Sequence, residues 1–193
     1  NGDIFVATMD NGLLRSRDEG LSYEALCPRL AHHQEVKGHV WRVLPLDNDA
    51  NMILATSSPW SEAPNQIVFS KDAGVSFFTS AKGLPAKNPV LNTMWGRGYP
   101  RALARDPKDP ARFYLGIDGD DGGGLFVSED WGYHWKQSEG QPGSRRIYNG
   151  LVVDPVKPER IFWGAAGNKE GGIYRSEDSG KTWKKVFSAS EWI

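Results

Sequence analysis

The chain has 193 residues, 39% of them hydrophobic and 24% charged, the balance of an ordinary globular protein with no bias toward disorder. Its formal net charge of −1, with the signs interspersed, offers no basic stripe for a nucleic acid and no polybasic patch for a membrane surface. No apolar stretch approaches the length of a membrane span, and the lone Cys27 excludes an internal disulfide and reads as a buried or incidental thiol.

In chain order, residues 1–8 read as an apolar strand, and a second short strand, Gly12-Leu13-Leu14-Arg15, runs into the octamer Ser16-Arg17-Asp18-Glu19-Gly20-Leu21-Ser22-Tyr23. A new group of strands opens at His39-Val40-Trp41-Arg42-Val43-Leu44, and Ile67-Val68-Phe69 leads into a second octamer from Ser70 through Asp72 and Gly74 to Phe77. A third group opens near Arg101, and Gly124-Leu125-Phe126-Val127 precedes an octamer with Ser128, Asp130, Gly132 and Trp135. The fourth opens near Tyr148, and Gly172-Ile173-Tyr174-Arg175 precedes Ser176, Asp178, Gly180 and Trp183. The shared pattern is Ser-x-Asp-x-Gly-x-x-aromatic. Its first serines, at 16, 70, 128 and 176, lie 54, 58 and 48 residues apart, a period that belongs to the blades of a β-propeller.

Each octamer follows a strand and leads into an aromatic-rich run, so it is expected to be a hairpin turn. The carboxylate accepts hydrogen bonds from nearby backbone N–H groups, the glycine supplies a positive φ, and the closing aromatic packs inward. A longer repeat surrounds it. Arg101 to Gly116 aligns with Asn149 to Gly164, each a strand, then an Asp-Pro-x-x-Pro turn at Asp106 or Asp154, then a second apolar strand. Trp41, Trp135, Trp163 and Trp183 fall at repeat positions and read as core.

These octamers match the Asp-box, or BNR, repeat, and nearly the whole chain resembles propellers that carry it: sialidases, xyloglucan-degrading endoglucanases, sortilin-like receptors and photosystem assembly factors. The Asp-Pro repeat and the lack of a Phe/Tyr-Arg-Ile-Pro segment bring it nearer the xyloglucanase, sortilin and assembly-factor group than the sialidases. The resemblance implies an all-β fold, with a propeller segment of about four four-stranded antiparallel blades. Residues 1–30 form an incomplete first blade, 39–80 the second, 101–140 the third and 148–188 the fourth. It also implies that the four box carboxylates are structural and that the whole ring has six to eight blades. The missing initial Met suggests a processed or excerpted chain. The rest of the ring is expected from the same longer chain or from a second copy, with a small four-bladed ring as the remaining option.

Strand parity separates the two rims. In a four-stranded meander of strands A to D, the A–B and C–D turns share one end, so the boxes leave the B–C and D–A connections at the other, where binding usually resides. The D–A connections there carry Trp95, Arg97 and Tyr99, then Arg145, Arg146 and Tyr148, and the B–C loops carry Trp60, Glu62, Asp118, Asp120, Asp121 and Glu170. Trp60 and Trp95 read either as exposed binding residues or as loop anchors. Aromatic faces beside Arg and carboxylate groups suit a polysaccharide or a protein ligand. The glycine in Asp118 to Gly123 falls one place early for a calcium loop, and His32, His33 and His39 lack metal-site spacing, so no metal or cofactor is expected.

The primary expectation is an extracellular or periplasmic recognition or scaffold module acting through that rim. The alternative is part of a secreted glycoside hydrolase acting on a β-glucan such as xyloglucan. Asp118, Asp120, Asp121, Glu62 and Glu170 are then the candidate acid and base, with no pair identifiable from the sequence.

Overall fold

The computed structural model describes residues 2–9, 11–26, 39–46, 51–58, 65–80, 82–87, 98–119, 122–142, 150–165 and 171–188. The chain divides into two compact units, Asn1–Ala81 and Lys82–Ile193. Every regular element among the described residues is a β-strand.

The first unit holds two sheets. One is a three-stranded meander of β1 (Ile4–Thr8), β2 (Gly12–Ser16) and β3 (Glu24–Ala25). The other is a four-stranded meander of β4 (Val43–Pro45), β5 (Ile53–Ser57), β6 (Gln66–Ser70) and β7 (Phe78–Thr79). The second unit holds two four-stranded meanders. They are β8 (Pro100–Arg105), β9 (Phe113–Ile117), β10 (Gly124–Ser128) and β11 (Lys136–Gln137), then β12 (Leu151–Val153), β13 (Ile161–Ala165), β14 (Gly172–Ser176) and β15 (Lys184–Ser188). All pairings are antiparallel between sequence neighbours, the pattern of propeller blades, and β1 to β3 occupy the places of strands B, C and D. Among the described residues this sheet has three strands.

Two-residue alternation gives each sheet two apolar faces, so each blade can pack on both sides. In the first unit, Phe5, Ala7 and Leu13 of blade one meet Val43, Ile53, Ala55, Val68 and Phe77 of blade two in one core. In the second unit, Ala102, Tyr114 and Leu125 of blade three meet Leu151, Ile161, Trp163 and Tyr174 of blade four. Leu13, Ile53, Tyr114, Leu125, Ile161 and Trp163 are fully buried there, each worth about 1.5–3 kcal/mol of transfer free energy. Trp135 and Trp163 are buried as the repeat predicts, while Trp41 and Trp183 are half-buried.

Candidate functional site

The boxes fix which rim is available. In each, the serine Oγ donates to the aspartate Oδ1, from Ser16 to Asp18 at 2.8 Å, Ser70 to Asp72 at 2.8 Å, Ser128 to Asp130 at 2.9 Å and Ser176 to Asp178 at 2.7 Å. The same Oγ accepts the N–H of Gly20, Gly74, Gly132 or Gly180 at 2.8–2.9 Å. The aspartate Oδ1 accepts the N–H of the seventh residue, Ser22, Ser76, His134 or Thr182, at 2.8–2.9 Å. The side chain of that residue closes the ring onto Oδ2: a hydroxyl in Ser22, Ser76 and Thr182, and the ring Nδ1 of His134 in the third box.

The fourth residue of each box is in the left-handed region although it is not glycine, with φ of 59° at Glu19, 58° at Ala73, 64° at Trp131 and 60° at Ser179. That conformation costs an L-residue about 1 kcal/mol or more. In three boxes its N–H is spent on the A–B turn of the same blade. Ala73 donates to the Asn51 carbonyl at 2.9 Å, Trp131 to Ala111 at 2.9 Å and Ser179 to Glu159 at 2.8 Å. The A–B and C–D turns thus share one rim, and each is stiffened further. Asp106 Oδ1 accepts the N–H groups of Lys108 and Asp109, Asp154 Oδ1 those of Val156 and Lys157, and Arg112 and Arg160 bridge to Glu129 and Glu177 of the boxes.

These bonds depress the carboxylates. The Ser22 hydroxyl, the Ser22 N–H and the Ser16 hydroxyl draw Asp18 down to about 2. At Asp178, burial opposes the charge, but the Thr182 hydroxyl and N–H, the Ser176 hydroxyl and the Lys181 N–H outweigh it and also bring it to about 2. Asp72 and Asp130 are lowered against burial in the same way, and Asp154 is lowered by the Lys157 and Val156 N–H groups. A carboxylate whose folded value lies below its unfolded one stabilises the fold above the unfolded value of about 4 and loses that contribution as pH falls through about 2. We expect Tm to be insensitive to these groups from pH 7 to about 4 and to fall below that. In a pH series of thermal melts, Asp178→Asn should flatten this acid limb.

The opposite rim is built on a charged pair. Asp118, just past β9, is fully buried, and Arg101 Nε of β8 donates to its Oδ2. The guanidinium carbon lies 5.2 Å from the centre of the Tyr99 ring, and the Asp118 N–H donates to the Tyr99 carbonyl at 2.9 Å. Gly98 is required by proximity, since a Cβ there would sit 1.6 Å from the Asp118 carbonyl oxygen. The Arg101 side chain keeps 13% of its surface and Tyr99 is buried. The pair is therefore the floor of the B–C/D–A rim in blade three.

At the matching place in blade two, His39 and Ser58 exchange backbone hydrogen bonds at 3.0 and 2.9 Å. Thr56 Oγ1 there accepts the N–H groups of Trp41 and Arg42, and the His39 ring nitrogen Nδ1 meets the Met9 carbonyl. Of the rim residues named from the sequence, Tyr99 and Asp118 are brought together below the surface. Trp60, Glu62, Trp95, Arg97, Asp120, Asp121, Arg145, Arg146, Tyr148 and Glu170 lie outside the described residues. The sequence reading missed Arg101; its one available signal was an arginine in the first strand of a hairpin whose second strand is followed directly by an aspartate.

The BNR-Asp box repeat model matches residues 173–186, the fourth strand–box–strand unit. Similar solved structures include the GH74 xyloglucanase from Xanthomonas campestris at 21% identity and TM-score 0.70, covering 98% of this chain and 29% of that one. The Niastella koreensis GH74 enzyme gives 19% identity and TM-score 0.71, over 99% and 28% of the two chains. An ancestral GH74 enzyme gives 16% and 0.68, over 98% and 23%. The present chain thus spans about a quarter of the length of these structures. No curated protein sequence matches it.

Proposed function

We propose that this Asp-box propeller segment is an extracytoplasmic recognition or scaffold module belonging to a larger ring, and that its B–C/D–A rim takes an extended polysaccharide or a protein ligand. One observation carries the reading. The box side chains and the A–B turns lock one rim through their own hydrogen bonds, while at the other end of blade three the Arg101–Asp118 pair is buried, on the side to which strand parity assigns the longer connections. Rigid support under variable loops is the arrangement that makes a binding surface selective. In this reading Asp118 positions Arg101 and Tyr99 and does not itself meet a sugar.

The second reading is a piece of a glycoside hydrolase acting on a β-glucan such as xyloglucan. It draws on the likeness of fold to GH74 enzymes. Its acid and base would come from Glu62, Asp120, Asp121 or Glu170, at a carboxyl separation of roughly 5–9.5 Å. Affinity electrophoresis against xyloglucan and unrelated polysaccharides tests both readings. Under the first, xyloglucan or another glycan retards the chain without being shortened, and Trp60→Ala with Trp95→Ala abolishes the retardation. Release of reducing ends would favour the second. Mobility unchanged by every polysaccharide would remove the glycan ligand from both.

A further inference from the structure

We infer that the cleft between blades three and four, at the end of the sheets where the boxes lie, binds a small hydroxylated carboxylate. This goes beyond the rim reading, which concerns the opposite end of the sheets.

The cleft has a sealed counterpart in the first unit. Between blades one and two, the fourth residue of strand C is Arg15, with 2% of its side chain exposed. Its Nη1 donates to the carbonyl of Ala73, the fourth residue of the next box, and its Nε and Nη2 donate to Glu24 of the adjacent strand at 2.8 and 2.6 Å. Pairing register puts Val127 and Lys136 at the places of Arg15 and Glu24, and Ser179 is the fourth residue of the box in blade four. Valine is too short to reach that carbonyl. Where the guanidinium would lie there is a cavity of about 450 Å³ with Val127, Lys136 and Ser179 in its lining, within the roughly 300–1,000 Å³ of small-molecule sites.

The same exchange of residues inverts the charge. Lys136 stands where Glu24 does, so a second cation does not suit this cleft. Two of its own cations are matched to its two carboxylates, Arg112 to Glu129 at 3.0 Å and Lys136 to Glu139 at 3.1 Å. The Lys181 ammonium is left over, with no ion pair among the described residues. One spare positive charge favours a monoanion, whereas the second charge of a phosphate would face Glu129 and Glu139.

Hydrogen-bonding groups under the lining supply the second half of the specificity. Tyr114 is fully buried and pairs across the sheet with Val127. Its hydroxyl neighbours Ser179 and Arg112 of the lining, yet among the described residues neither that hydroxyl nor Arg112 Nε has a partner at hydrogen-bonding geometry. Buried donors in that state call for an acceptor. The Ser179 carbonyl, which no arginine meets here, is an acceptor in its turn. Hydroxyl groups both donate and accept, so a carboxylate that carries them answers the whole lining.

Amide NMR titrations of the whole chain with galacturonate, galactose and inorganic phosphate test this. We expect galacturonate to shift the amides of Lys136, Ser179 and Lys181 saturably, and to bind at least tenfold more tightly than galactose or phosphate. Lys136→Gln with Lys181→Gln, both exposed positions, should weaken it at least tenfold. Val127→Arg with Lys136→Glu, which rebuilds the sealed junction, should abolish it. If that second variant fails to fold, the lysine variant decides alone. Trigalacturonate binding at least tenfold more tightly than the monomer would assign the carboxylate to an acidic polysaccharide, and equal binding would assign it to a free sugar acid. No saturable shift, galactose or phosphate binding as tightly as galacturonate, shifts confined to other residues, or indifference to the lysine variant would each overturn the inference.

Discussion

Replacing Arg101 by alanine should lower the stability of the fold by about 3–5 kcal/mol, the largest effect of any single polar substitution proposed for this chain. Asp118 has no exposed side-chain surface, and the Arg101 guanidinium lies beside it. Truncating the arginine takes that guanidinium away from a carboxylate in a low-dielectric site, and the desolvation it helped to offset weighs more heavily. Removing both charges together, as in Arg101→Met with Asp118→Leu, should recover much of the loss, because two buried apolar groups carry no such debt. Urea denaturation of the single and double variants measures the difference. The expected signature is strong non-additivity, with the double variant more stable than Arg101→Ala. If Arg101→Ala cost less than 1 kcal/mol, the floor of the rim would not depend on this pair, and the account of the site would fail with it.

The second large effect is expected at the boxes. Asp178→Ala removes the acceptor of the Thr182 and Lys181 N–H groups and of the Thr182 and Ser176 hydroxyls. Bonds to a charged acceptor are worth roughly 1.5–3 kcal/mol, but this turn borders solvent, and water replaces part of what is lost. A loss of about 2–3 kcal/mol is expected, against about 1 for Asp178→Asn, which keeps one oxygen acceptor. Ligand retention at the opposite rim should be unchanged by Asp178→Asn at temperatures where the variant is folded. A rim defect in a fully folded Asp178→Asn protein would mean that the boxes and the binding rim had been assigned to the wrong ends.

How far the sequence carried this picture depended on the reach of each interaction. The Ser-Asp-Gly bonds span two to four residues, so the octamer alone specifies its turn wherever it occurs, and four copies announce four sheets. The seventh position was partly legible, since three copies place a hydroxyl there, but His134 does the same work with a ring nitrogen and conceals the pattern. The left-handed fourth residue was not legible. Glu, Ala, Trp and Ser share no preference for it, and in three of the boxes the residue's N–H is bonded to the A–B turn.

The rim divided along the same line. Parity located it, because strand direction alternates whatever the side chains are. Its floor came from elsewhere: Arg101 and Asp118 are 17 residues apart and meet through the β8–β9 register, which is irregular between Pro100 and Ala102. A one-residue irregularity turns a side chain to the other face of a sheet, and nothing in Pro-Arg-Ala signals it.

By itself, then, the sequence determined the repeat, the meander order and the end of each sheet at which the boxes lie, all consequences of short-range hydrogen bonding and strand alternation. Only the tertiary structure decided which apolar faces are covered, that Asp118 is a buried partner of Arg101, and that Arg15 reaches a neighbouring box. Those outcomes depend on register and on contact between residues far apart in the chain, where the local pattern of residues has no influence.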